Sequence, residues 1–240
     1  MGYARQVGLH GLLIGLTAAL GMLGCDGTDH PATIQVQASP GSAVVIPFSS
    51  PAKDNKTRAQ GAISANPKFS SNPLPHGAEL LHSSLSLLGN GKVSGVLLIE
   101  IPEEIPNDIE FSLSAHGDGR GIGGRSVNFS TESVEVTIKP TGMPVDPTTT
   151  PALTGEWTSK DWSWKFEEGE IPALHTRHTT GEAKSVRYRA YSDGSDGWFL
   201  IEPKPAGIAY WIRRNGDGTM EVSHPDKAFR PFLQLTRASN

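Results

Sequence analysis

The sequence predicts an all-β protein of two units joined by a proline–threonine connector. Three observations carry that expectation. The 240 residues include 27 glycines and 18 prolines that punctuate short apolar runs. Within those runs apolar residues recur with a period near two, the strand signature. A Pro/Thr-rich segment then splits the chain, and all five tryptophans lie beyond it.

Residues 1–24 have the three parts of a secretory signal. Arg5 is the single charge, an apolar stretch runs from about Val7 to Leu23, and small Gly24 precedes a cleavage point. The stretch is broken by Gly8, His10, Gly11, Gly15 and Gly21 and falls short of the ~20 residues that span a bilayer. Met22-Leu23-Gly24-Cys25 resembles the bacterial lipobox, with Met where Leu is usual and Leu where Ala or Ser is usual. The resemblance covers about the first 25 residues. It implies transfer of lipid (palmitate and like chains) to Cys25 and removal of residues 1–24 as a signal peptide. Asp26 is similar to the inner-membrane retention signal of enteric lipoproteins, which tilts the expected address toward the inner over the outer membrane. Residues 25–32 would be a lipidated, polar tether, with the rest in the periplasm or at the cell surface.

Cys25 is the only cysteine. With it committed to lipid, the mature chain has no disulfide, no thiolate zinc site and no thiol nucleophile, so its fold rests on buried apolar surface. The mature chain carries 20 Lys+Arg against 25 Asp+Glu, a formal charge of −5. That balance gives no electrostatic reason to bind nucleic acid.

The first unit, 33–139, reads as a β-sandwich of Ig-like kind. Thr33–Gln37 alternates, and Ala43–Phe48 reads as a second strand ended by Pro47. Val93–Ile101 is a near-continuous apolar run, expected of a strand buried on both faces. Ile109–Leu113, Ser126–Ser130 and Val134–Ile138 follow. Residues 49–78, with Pro51, Pro67, Pro73 and Pro75, read as a long loop with room for one edge strand. Residues 140–152 hold four prolines and four threonines, an extended linker.

The second unit, 153–240, reads as an antiparallel meander closing into a small barrel or curved sheet. Its strands are expected at 162–167, 184–191, 197–202, 207–213, 218–223 and 232–237. Asp193–Gly197 and Asn215–Gly218 supply hairpin turn residues. The Gly155-Glu156-Trp157 opening, the short strands and the closing Leu233–Arg237 run resemble lipocalin-like domains, which implies a barrel able to carry a small ligand.

Motifs of catalysis are sparse. Gly119–Gly124 spells GxGxxG, but the segment after it is strand-like, whereas a dinucleotide site needs a helix there. A hairpin loop is expected, with Arg120 and Arg125 as groups able to meet an anion. His175 and His178 would share a helix face but oppose one another on a strand. They read as solvated loop histidines, with His224 and Asp226 able to approach. Asp193-x-Ser195-x-Gly197 reads as turn chemistry, since no bidentate acid follows. Glu103-Glu104 and Glu167-Glu168 are adjacent acids that would face opposite ways on strands. No nucleophile elbow, zinc-protease helix or helix-opening Ser-x-x-Lys is read in the sequence. No catalytic residue, metal site or cofactor is therefore assigned, and the chain is read as no enzyme.

Trp162 and Trp164 share one strand face, expected to be core. If Val186, Tyr188 and Ile212 point inward, Arg187, Arg189, Trp211 and Arg213 form an outer aromatic–cationic patch suited to a partner. The expectation is a lipid-anchored envelope lipoprotein that acts without catalysis, as a binding or assembly component of a membrane-associated complex with a protein partner. The alternatives are a lipocalin-like carrier and a cell-wall or polysaccharide enzyme.

Overall fold

A computed structural model describes residues 33–53, 62–120, 122–146, 152–167, 172–203, 208–225 and 231–238. The expected signal peptide, the lipidation expected at Cys25 and the expected tether lie outside these residues. The chain is all-β. Two strand sheets curl into nearly closed, barrel-like forms, with single-turn 3₁₀ segments at Pro75–Gly77 and Ile122–Gly124.

The first sheet uses β1 (Thr33–Ala38), β2 (Ala43–Pro51), β3 (Ile63–Phe69), β4 (Glu79–Leu87), β5 (Lys92–Glu100), β6 (Ile109–Arg120), β7 (Ser126–Ser130) and β8 (Val134–Pro140). Its order is β1-β8-β6-β3-β4-β5-β2, with β7 also on β6, and its two ends β1 and β2 lie against each other. Only β1 and β8 pair in parallel. Strand β3 joins the halves: Ile63–Ala65 pair with β4, and Asn66–Phe69 pair with β6. The pairing is therefore one continuous, barrel-like path through β3, and the finer Ig-like sandwich arrangement is not shown.

Three sequence expectations change here. The strand within residues 49–78 is not an edge strand: β3 is central in the order and carries Pro67 just past its change of partner. Strand β4, too rich in serine and histidine to show an apolar alternation, completes the wall. Strand β2 runs through Pro47, which is tolerated because β2 ends the path and a proline's missing N–H there costs no ladder bond. Inside lie Ile46, Phe48, Leu97, Ile99, Ile109, Leu113, Val136 and Ile138.

The second sheet comprises β9 (Gly155–Thr158), β10 (Trp162–Phe166), β11 (Pro172–Arg177), β12 (Ala183–Arg187), β13 (Arg189–Ser192), β14 (Gly197–Ile201), β15 (Ala209–Arg214), β16 (Thr219–Ser223) and β17 (Pro231–Arg237). The order is β12-β11-β10-β9-β17-β16-β15-β14-β13, all antiparallel. The two edge strands β12 and β13 are separated only by Tyr188. Together they act as one bent strand that pairs β11 with its first part and β14 with its second. This is how a meander closes on itself without leaving long free edges. Strands β9 and β11 were not expected from the sequence. Trp157, Trp164, Phe166, Leu200, Ile212, Met220 and Val222 fill the interior, so Trp164 is a core residue as expected, while Trp162 is half-buried and packs against that core.

Candidate functional site

The two barrel-like sheets dock wall to wall. Strand β14 alternates Trp198 and Leu200 into its own barrel with Phe199 and Ile201 outward. Phe199 and Ile201, with Ala209, Tyr191 and Trp211, meet Ala43, Val45, Leu81 and Leu98 of the first unit. Leu98 is fully buried, between Leu97 and Ile99 that face the first interior. The unbroken apolar run of β5 is thus buried on both faces, one by its own core and one by the second unit. Glu79 and Glu100 stand directly opposite one another across β4 and β5 at the rim of this seam. Burial and Glu79 push the Glu100 carboxyl up, while Arg189 from the second unit pulls it back. Burial and Glu100 raise Tyr191, which Arg189 opposes through a hydrogen bond and its charge.

The four residues expected to form an outer patch fall on the outer wall, but the seam divides them. The Trp211 indole Nε1 donates to Asp193 Oδ2 at 2.9 Å, and the Arg213 guanidinium lies 5.6 Å from the Trp211 ring. Arg213 Nη2 also donates to Glu221 Oε2 at 3.0 Å. Arg189 sits at the seam rim beside Glu100 and Tyr191, and Arg187 lies exposed one strand row away. Asp193 Oδ1 accepts from the Ser195 N–H and Oγ and from the Gly197 N–H, so this segment is a hairpin turn, as its residues predict.

The second barrel also holds an aromatic–imidazole array that sequence reasoning missed. His175 is not a solvated loop residue: it lies on β11, shares the inward face with Ala173, and is only 7% exposed. The polar run His175-Thr176-Arg177 hides that strand from a hydrophobicity reading. The His175 ring sits 4.0 Å from Trp164, and its Nε2 is 3.3 Å from the Tyr188 hydroxyl. Burial, then the nearby Lys184 charge, pushes the His175 imidazole down to about 4, against a smaller opposing pull from Glu202. His175 is therefore neutral at physiological pH. Burial likewise raises Tyr188 and Tyr210, with Glu202 adding to both. Glu202 is itself buried, with Lys184 Nζ 3.6 Å from its Oε2. His178, by contrast, is exposed, with Nδ1 3.1 Å from the Lys160 carbonyl.

From Tyr210 the array continues outward. His224 lies 5.2 Å from the Tyr210 ring and stacks on Phe232 at 4.6 Å and 9°. Phe232 is 50% exposed. His224 also lines a half-open cleft of about 190 Å³ at the seam, with His82, Ser84 and Val96 on one side and Ile208, Ala209 and Pro225 on the other. The structure thus links His175 to His224 through Tyr210, while Asp226 lies outside the described residues.

No protein-family model, curated protein or solved structure matches this chain. What it does must be argued from its own groups. Among the described residues no three His, Cys, Asp or Glu side chains gather as metal ligands. His175 is neutral, buried and committed to Trp164 and Tyr188, which suits it to packing and not to proton transfer with a solvent-borne substrate. The cleft offers two imidazoles, a serine hydroxyl and the exposed Ile208 and Phe232 nearby. That combination can bind an apolar or aromatic group and orient it by hydrogen bonds. The hairpin β6–β7 that contains the GxGxxG run has strand β7 after its glycines, where a dinucleotide fingerprint would need a helix.

Proposed function

We propose that this chain is a lipid-anchored lipoprotein of the bacterial cell envelope. It acts without catalysis, as a binding or assembly component of a membrane-associated complex. The observation that carries the proposal is the position of the only cysteine, closing the apolar run Leu20-Gly21-Met22-Leu23-Gly24. A lone thiol is an unfavourable thing to keep in an oxidising compartment unless it is chemically committed. Asp26 favours retention at the inner membrane.

Binding is assigned to the seam between the two units. Large side chains occupy the interior of the second barrel, so carriage of a ligand there has no room in its favour. At the seam, exposed Ile208 and Phe232 flank a cleft of mixed polarity, the kind of surface a protein partner's apolar anchor fills. Arg187, exposed on the same unit, would serve at the polar edge of such an interface.

Affinity recovery from solubilised membranes, comparing the wild type with Phe232→Ala and Ile208→Ser, tests the reading. Specific proteins recovered by the wild type and lost from both variants are expected. Recovery unaffected by either change, together with turnover of a cell-wall substrate, would overturn it.

A further inference from the structure

We propose that the tip of the β6–β7 hairpin rests on the phosphate-bearing headgroups of the membrane that holds the anchor. The contacts would be Arg120 and Arg125. This deepens the lipoprotein reading and rests on it.

Strand β1 runs parallel to β8 and therefore antiparallel to β6. The chain accordingly enters β1 from the end of the sheet toward which β6 runs, the end where the β6–β7 hairpin turns. Length comes next. Register places Thr33 opposite Glu135, and Glu135 opposite Ser112. From Ser112 to Arg120 the strand continues eight residues, about 26 Å at the usual rise. From Thr33 back to Cys25 there are also eight residues, which reach about 26–29 Å when fully extended. A lipidated Cys25 can thus reach about as far from the start of β1 as the hairpin tip does. A tether less than fully extended brings the tip to the level of the headgroups.

Charge supports the same orientation independently. Arg120 and Arg125 are exposed at the hairpin end, and Lys92 and the exposed Leu88 lie on the adjacent β4–β5 turn. Asp118 is the acid on this hairpin, and Glu132 nearby is paired with Lys53 at 3.5 Å. The opposite end of the same sheet exposes Glu79, Glu103, Glu104, Asp108 and Glu110 against Lys139. A cationic end with an exposed leucine beside the tether and an acidic end away from it is the arrangement an anionic leaflet favours.

Packing holds the hairpin upright. A Cβ on Gly117 would come 2.7 Å from Phe129 and 2.8 Å from the Ser64 carbonyl, and one on Gly119 would meet Ile63 at 2.5 Å. The glycines let β3 and Phe129 close against the hairpin, so it projects as part of the wall.

The test uses the full lipidated chain in vesicles of phosphatidylglycerol and phosphatidylcholine carrying a headgroup-attached quencher. A fluorophore is placed on Ser126→Cys near the tip or on Asn107→Cys at the far end, where the introduced thiol is the only free one. Strong quenching at position 126 and little at 107 is expected. Changing Arg120→Gln and Arg125→Gln together should weaken the tip contact by roughly tenfold or more, since each cation beside an anionic leaflet is worth about a factor of five. Equal quenching at both positions, or quenching at 126 indifferent to loss of both arginines, overturns the proposal. A chain that does not float with the vesicles sinks the anchor and this orientation together. One that floats with an unquenched tip sinks the orientation alone.

Discussion

The Tyr188 hydroxyl lies 3.3 Å from His175 Nε2, inside a barrel whose sequence marks Tyr188 but not His175 as inward-facing. The pair closes the polar needs of two buried side chains from β11 and the β12–β13 bend. It also ties the one bent strand that seals the sheet to the strand beside it.

Burial of the His175 imidazole, with Lys184 nearby, makes stability depend on pH. Folding holds the His175 imidazole at about 4, below its ordinary 6.5, so the unfolded chain binds a proton between those values and the folded chain does not. The stabilisation is present in full above pH 6.5 and is lost as pH falls toward 4, about 3 kcal/mol in total. Urea denaturation at pH 7, 6, 5 and 4 should show that fall, and His175→Phe should remove this part of it. An unchanged slope in the variant would show that other groups are responsible.

Tyr188→Phe leaves the His175 ring nitrogen without its hydroxyl partner in a buried place. We expect a loss of about 1–3 kcal/mol at neutral pH. A double-mutant cycle with His175→Phe should show that most of that loss is shared between the two residues.

The seam is held by apolar contact centred on Leu98 and Phe199. Phe199→Ala should cost about 3–5 kcal/mol, and Leu98→Glu should separate the units by burying a charge without a partner. Small-angle scattering of Leu98→Glu should give a larger radius of gyration, and its unfolding should split into two transitions. A single transition with unchanged dimensions would mean the docking does not depend on this contact.

Glu79 and Glu100 face one another across β4 and β5, and like charges directly opposite are unfavourable. Glu79→Gln should therefore stabilise the chain by about 0.2–1 kcal/mol. Arg189→Gln should do the reverse, because Arg189 offsets the crowding from the other unit.

Much of this was legible in the sequence, and for identifiable reasons. The β5 run is apolar on both faces because two different cores take its two faces, and the sequence reading of double burial follows from Val96, Leu97, Leu98 and Ile99. The β10 and β16 strands alternate because one face is barrel interior and the other is not, whereas Trp198–Ile201 of β14 is apolar on both faces because its outer face meets the first unit. Strand β4 was not legible, since His82 and Ser84 face the cleft and Ser83 takes an inward place that an apolar residue would have marked. Strand β11 was hidden by His175, whose burial depends on Trp164 and Tyr188, both remote from it in sequence. The outer patch was half legible: period two places Arg187, Arg189, Trp211 and Arg213 on the outside. It cannot show that the first unit packs against Trp211.

The lipid anchor is the claim on which the functional reading stands, and intact-mass analysis of the protein purified from native membranes tests it most directly. The account predicts a chain that begins at Cys25 and carries the added mass of acyl chains on that residue, both lost from Cys25→Ser. A native chain that keeps residues 1–24, or that begins elsewhere with an unmodified Cys25 thiol, would contradict it.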